Sequence, residues 1–221
     1  MLKKPVIIVN FKTYKEATGT NAVKLAKICD HVALELDANI AVAVQAVDIW
    51  RVASAVKIPV LAQHVDGVEY GAHTGAMNPA ALAEAGASGS LINHSEWRIP
   101  LTNIDAAIRQ CRKAGLEVVA CADTPANAEQ IARLRPSFIA IEPPELIGGN
   151  ISVSVARPEV ITETTSAIKR VPVICGAGIH TKEDVAKAIQ LGTVGVLLAS
   201  GVVLAKNPEN VLKELVAGLQ G

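Results

Sequence analysis

Residues 171–201, VPVICGAGIHTKEDVAKAIQLGTVGVLLASG, hold one complete copy of the pattern on which the fold turns. VPVIC (171–175) and VGVLLA (194–199) are continuous apolar runs of strand length, as expected for strands buried on both faces of a parallel sheet. Between them Thr181 is followed three residues later by Asp184, a helix-start signature in which each side chain satisfies a backbone amide of the first turn. Six similar runs lie upstream: VIIVN (6–10), NIAVAV (39–44), IPVLAQH (58–64), SGSLIN (88–93), EVVACA (117–122) and SFIAIE (137–142). The intervening stretches are amphipathic, most clearly where Leu25, Ile28, Cys29, Val32 and Leu36 recur at helical spacing. Further helix starts are expected at Asn78-Pro79, Thr102 with Asp105, Thr124-Pro125 and Asn207-Pro208.

Dividing 221 residues among eight strand–helix units leaves fewer than 28 apiece, and no composition shift or linker interrupts them. The expectation is an α/β fold in one domain, residues 1–221: a closed eight-stranded parallel (β/α) barrel with shortened helices. Such barrels place their chemistry at the C-terminal ends of the strands, on the loops that lead into the helices. Composition narrows the partners. Lys plus Arg (21) balance Asp plus Glu (21), so no surplus positive charge is available for nucleic acid or an anionic membrane surface. Two Phe, two Tyr and two Trp, scattered along the chain, make no base-stacking platform. No apolar run approaches the ~20 residues of a membrane span, and MLKKPVIIV stops short of a signal peptide, so a cytoplasmic setting is expected. Cys29, Cys111, Cys121 and Cys175 have neither disulfide-framework nor metal-site spacing and read as free, mostly buried thiols.

The strand ends carry the polar groups. Asn10-Phe11-Lys12 follow the first strand, Gln63-His64 the third, Asn93-His94-Ser95-Glu96 the fourth, and Glu142 closes the sixth. A carboxylate can act as general base, an imidazole can polarise a carbonyl oxygen, and an ammonium can hold an anion while charge develops. Each of Glu142, His94 and Lys12 taken alone is an ordinary surface residue; their joint appearance at matching ends of different strands is what points to proton chemistry. Gly176-Ala177-Gly178 and Ala199-Ser200-Gly201 follow strands seven and eight, where barrels commonly bind phosphate through backbone amides. The Rossmann continuation is absent after Gly178, and there is no P-loop. EPPELIGGN (142–150) has a proline-stiffened stem, an apolar centre and a glycine end, which suits a lid that closes over substrate.

NFK, AQHVD, GAHTGA, NHSE, EPPELIGG, CGAGI and LLASGV, in that order from Pro5 to about Asn207, resemble the triosephosphate isomerase family and most nearly its short archaeal form, a TIM barrel. The resemblance implies interconversion of dihydroxyacetone phosphate and glyceraldehyde 3-phosphate through an enediolate, in glycolysis and gluconeogenesis, with no cofactor and no metal. By the same resemblance Glu142 is the base, neutral His94 the electrophile, Lys12 the anion-stabilising charge, Asn10 a hydrogen-bond donor and Glu96 a supporting charge. Substrate contacts fall on Asn10, Phe11, Lys12, Ile147, Gly148, Gly178, Ala199 and Ser200, with the phosphate held by backbone amides. A helix starting at Ser95-Glu96-Trp97-Arg98 and aimed at the imidazole would keep His94 neutral. Thr74, in GAHTGA, is implied to reach a neighbouring subunit and brace its Asn10 and Lys12, so a homo-oligomer is expected, a tetramer ahead of a dimer.

The chain departs from the usual pattern in three places. Trp97-Arg98 replaces two arginines, CGAG replaces a Tyr-Gly-Gly-Ser turn that latches the lid, and the lid ends Gly148-Gly149-Asn150 rather than Gly-Thr-Gly. Two other readings stay open. Another sugar-phosphate isomerase or epimerase would lack the NHSE and EPPELIGG pair, and an epimerase would cluster metal-binding histidines, which His31, His64, His73, His94 and His180 do not do by strand. A non-catalytic barrel that binds a phosphorylated metabolite would have lost the base or the electrophile.

Overall fold

Alternation along each strand divides the apolar residues between two cores. The strands are β1 (Val6–Asn10), β2 (Ile40–Val44), β3 (Val60–Ala62), β4 (Gly89–Ile92), β5 (Glu117–Ala122), β6 (Phe138–Ile141), β7 (Val173–Cys175) and β8 (Gly195–Leu198). One set of side chains, including Val6, Ile8, Leu61, Leu91, Val119, Cys121, Phe138, Ala140, Ile174 and Leu197, fills the space the strands enclose. The residues between them, such as Ile7, Val9, Ile92, Ile139 and Ile141, pack outward against the helices. Two buried faces are why these runs read as continuously apolar. The computed structural model describes residues 2–143 and 157–219. Within them the eight strands are parallel and close in chain order, β1 pairing with β8.

The helices are α1 (Thr20–Glu35), α2 (Ile49–Ala53), α3 (Pro79–Glu84), α4 (Leu101–Lys113), α5 (Pro125–Ala132), α6 (Pro158–Ala167), α7 (Lys182–Gln190), α8 (Ser200–Val203) and α9 (Pro208–Ala217). The expected shortening is plain in α2 and α3, of five and six residues. Helix α1 buries Leu25, Cys29 and Val32 on one face. Asn78, Thr124 and Asn207 accept from the third backbone amide beyond them, each with proline at the next position. Thr181 and Asp184 form the reciprocal capping box. The helix-start reading at Thr102 is corrected: the cap position is Pro100, two residues earlier, whose φ of −59° is preset for the turn, and α4 begins at Leu101. Asp105 instead pairs with Arg109 at 2.9 Å. All four cysteines are buried, and none forms a disulfide among the described residues. No helix among the described residues is long and apolar enough to cross a membrane.

Candidate active site

Strand parity aims the polar residues. Val6 and Ile8 face the barrel interior, so Asn10 and Lys12 continue on that side at its C-terminal mouth. Phe138 and Ala140 face inward, and Glu142 follows in step. Ile174 on β7 is paired with Ala140, which brings Gly176 opposite Glu142. Asn10, Lys12, His94, Glu142, Gly176 and Ser200 line one cleft as a result.

Lys12 sits in a left-handed turn, φ 46°, a conformation that costs a non-glycine residue about 1–2 kcal/mol. Its own polar neighbours hold it there. Asn10 Oδ1 accepts the Lys12 amide at 3.0 Å, and Gln63 Nε2 donates to the Lys12 carbonyl at 2.9 Å. The ammonium donates to Glu96 Oε1 at 2.8 Å. The Glu96 side chain is 59% exposed against 17% for Lys12, so solvent screens the pair and leaves the lysine charge available to an anion in the cleft.

His94 follows Asn93, another left-handed residue at φ 56°. Asn93 ties two strands together by donating to the Cys121 carbonyl (2.9 Å) and accepting from the Ile99 amide (3.0 Å). The turn that follows directs the Glu96 amide onto His94 Nδ1 at 3.2 Å. An acceptor Nδ1 places the ring proton of the neutral imidazole on Nε2, the nitrogen 3.7 Å from Glu142 Oε2. A turn does begin at Ser95-Glu96 but no helix continues from it; the segment to Pro100 is a bend and irregular chain, and a single turn amide does the work assigned to a helix N-terminus. Burial first, and then the Lys12 and Arg98 charges against the opposing pull of Glu96, lower His94 to about 4. It is therefore neutral at physiological pH.

Glu142 is 1% exposed, and neither carboxylate oxygen makes a hydrogen bond of good geometry among the described residues, although the Cys121 thiol and the Ser95 amide lie close enough to act on it. Burial raises it to about 7, against the lowering influence of the Cys121 thiol, Arg98, Lys12 and the Ser95 amide. The same burial, with Glu142 adjacent, pushes Cys121 well above the ordinary thiol range. A carboxylate that titrates near neutrality is suited to take a proton and return it. Glycine at 176 makes its placement possible: a Cβ there would overlap Glu142 Cγ and stand 2.9 Å from Oε1. Gly176→Ala is expected to lower kcat about 100-fold, because a displacement near 1 Å costs about that much at a reacting centre. An unchanged kcat in steady-state assays would show that the base has room to spare.

Gly178, with φ 67°, and Ala199 and Ser200 line the same cleft. The amides of Gly178 and Ser200 make no backbone hydrogen bond among the described residues. Ile147, Gly148 and the lid expected over 142–150 lie outside the described residues beyond Pro143. Phe11 is corrected: its side chain is fully buried in the outer core and its amide donates to Ala43 (2.9 Å), so it supports the turn and does not face the cleft. Thr74 is exposed in the loop between β3 and α3. Sequence reasoning placed Gly176 in a phosphate-binding turn and Gln63 only among the strand-end polar groups, and gave no role to Cys121; the pairing of strand ends is what sets Gly176 and Cys121 against Glu142. The cluster of His31, Glu35 and Glu209 has metal-ligand spacing but lies outside the cleft, and the Lys213 ammonium already bonds both carboxylates at 2.8 and 2.9 Å.

A family model described as triosephosphate isomerase matches residues 5–216. The triosephosphate isomerase of Methanobacterium bryantii is 50% identical over 217 residues, covering 96% of each chain. That of Methanothermus fervidus is 48% identical, covering 97% of this chain and 99% of its own. The crystal structure of triosephosphate isomerase from Bartonella henselae superposes with a TM-score of 0.76 at 17% identity, covering 96% of this chain and 99% of that one, a likeness of fold. With the match spanning almost the whole length and relatives at half identity, the chain belongs to the triosephosphate isomerase family.

Proposed function

We propose that the cleft interconverts dihydroxyacetone phosphate and glyceraldehyde 3-phosphate with Glu142 as the base, and that the buried carboxylate facing His94 Nε2 at 3.7 Å carries this assignment. Glu142 removes a proton from the carbon beside the carbonyl, and the bonding pair moves into an enediolate whose negative charge grows on oxygen. His94 donates its Nε2 proton to one oxygen and recovers one from the other. Glu142 then returns its proton to the neighbouring carbon. Lys12 and Asn10 meet the developing oxyanion, and Glu96 positions Lys12 through the 2.8 Å pair. The amides of Gly178, Ala199 and Ser200, with Ile147 and Gly148 from the lid segment, hold the phosphate, whose binding energy positions the reacting carbons. A coupled assay in both directions tests the reading. Turnover of glyceraldehyde 3-phosphate is expected, and a folded protein with no turnover overturns it.

The reading extends to assembly. Residues 1–221 act as one domain, in the cytoplasm, and as a homo-oligomer in which a partner's Thr74 loop fills the groove beside the site. That groove, about 590 Å³, borders Lys12 and His94 and is walled by Val47, Met77 and Trp97, which is 64% exposed. Leu34 and Trp50, exposed outside the groove, favour a second interface and hence a tetramer. Sedimentation velocity is expected to give at least the dimer mass, and Thr74→Arg to shift the protein toward monomer with lower activity on dilution. A parent that sediments as an active monomer overturns this part.

A further inference from the structure

At the face of the barrel opposite the cleft, two short connections bring four cations to one groove. RLRPS (133–137) leads from α5 into β6 and IKRV (168–171) leads from α6 toward β7, so both lie at the N-terminal ends of their strands. The groove they share, about 490 Å³, is lined by the buried Ile168 and Val171 and by the exposed Arg133, Arg135, Lys169 and Arg170, against one carboxylate, Glu129. The arginines that form ion pairs among the described residues are Arg51, Arg98, Arg109 and Arg157, none of them in this groove. Lys169 Nζ donates to the Thr165 carbonyl at 3.4 Å and likewise meets no acid. Clustered like charges repel one another, so stability does not explain the group. The helix dipole explains one member: Arg133 caps the C-terminus of α5, where a cation is favoured. Arg135, Lys169 and Arg170 lie two or three residues past their helices, and that effect fades within the last turn. Arg135 also has φ 59°, a left-handed conformation that a glycine adopts freely and a residue with a Cβ resists. Arg112 Nη2 holds it there by donating to its carbonyl at 3.1 Å.

We propose that this groove is a second anion site, separate from the cleft, for a small molecule carrying two or more phosphate groups. A guanidinium meets phosphate with two parallel hydrogen bonds, and here each of the two connections supplies at least one. Two phosphates can therefore be held at once, one by each connection, where a single phosphate would leave half of the cluster uncompensated. The volume is that of a small-molecule site. A long polyanion fits less well, because the chain as a whole is neutral and its acids lie over the rest of the surface. The buried Pro136, Ile168 and Val171 anchor both connections, so the cations stand on fixed backbone. The inference is independent of the assignment of Glu142, since the groove lies at the other end of the strands.

The test is a titration of the intact chain with inorganic pyrophosphate at about 0.15 M salt, where diffuse attraction is largely screened, read from backbone amide ¹H–¹⁵N shifts. Amides of 133–137 and 168–171 are expected to move along one saturating curve, with a Kd of about 1 mM or tighter. Pyrophosphate that also enters the cleft is read separately, at 176–178 and 199–201. Arg135→Gln combined with Arg170→Gln should weaken the groove curve by about 10-fold or more and leave the cleft curve in place. Inorganic phosphate should bind the groove about 10-fold more weakly than pyrophosphate, since it engages one connection at a time. Shifts confined to the cleft, a drift at the groove that never saturates, equal affinity for phosphate, or a glutamine variant that binds as the parent does would each overturn the proposal. So would a glutamine variant that sediments with fewer subunits than the parent, which would make this face a subunit contact. If the double variant does not fold, the single Arg170→Gln is held to the same loss at a smaller size, about 3-fold. Turnover is no part of the readout: an inactive chain that binds pyrophosphate in the groove upholds this site and overturns the reaction assigned to the cleft.

Discussion

Glu142→Gln is expected to lower kcat by about 10²–10⁴-fold, the range for removing a general base, while making the protein more stable above neutral pH. The two effects share one cause. Burial holds the folded-state carboxyl near 7, above its ordinary value of 4.5, so the fold favours the neutral acid. Stability from this group is complete below pH 4.5 and is lost as pH rises through 7, by at most about 3 kcal/mol. Glutamine resembles the neutral acid and carries no such loss. Thermal melts of variant and parent should therefore diverge between pH 5 and 8, with the variant higher. His94 runs the other way: lowered to about 4 from 6.5, it contributes stability that is full above pH 6.5 and lost as pH falls through 4. Near-parent activity in Glu142→Gln removes the base assignment. A variant that melts below the parent at pH 8 removes the argument that the ionised carboxylate burdens the fold.

The eight strands were legible because burial on both faces leaves uninterrupted apolar runs, and residues such as Ile7 and Ile8 serve different cores from adjacent positions. Their ends were less so. IPVLAQH suggests seven residues of strand, yet β3 keeps only Val60–Ala62, since Gln63 turns its amide to the Lys12 and Ala43 carbonyls and His64 stacks on Trp97. Glu142, His94 and Lys12 could be picked out because proton chemistry needs uncommon residue types at strand ends. What supports them could not. Gly176 looks like one more turn glycine until register sets it against Glu142, and Cys121 like one more buried thiol. Thr102 mimics a cap in sequence, but the preset backbone of Pro100 starts the helix first. The His94 environment was expected to be a helix end because that is a common source of amides; a turn amide from Glu96 suffices when the left-handed Asn93 fixes the ring's orientation.

Zero net charge makes the anion-binding role of Lys12 local, and this sets the size of the second effect. Lys12→Met keeps much of the side-chain length and removes the ammonium. Its loss is expected to cut kcat by about 10²–10³-fold, as for removal of one group that meets an oxyanion. The ground state suffers too, because the same charge attracts the substrate phosphate, so KM should rise by about 10-fold or more. The combined fall in kcat/KM is then about 10³–10⁴-fold. Folding should be largely preserved: the backbone bonds from Asn10 and Gln63 that hold the left-handed turn do not involve the side chain. Glu96 separates positioning from charge. With Lys12 present, Glu96→Gln frees the ammonium to swing and should lower kcat several-fold; in the Lys12→Met background the same change should do little, since the other group Glu96 meets among the described residues, His94 at 3.6 Å, is a neutral imidazole. Full additivity in this double-mutant cycle would mean that Glu96 acts on the reaction without Lys12. A Lys12→Met enzyme that raises KM while kcat stays at the parent level would make the lysine a substrate anchor and move the burden of the oxyanion to His94 and Asn10.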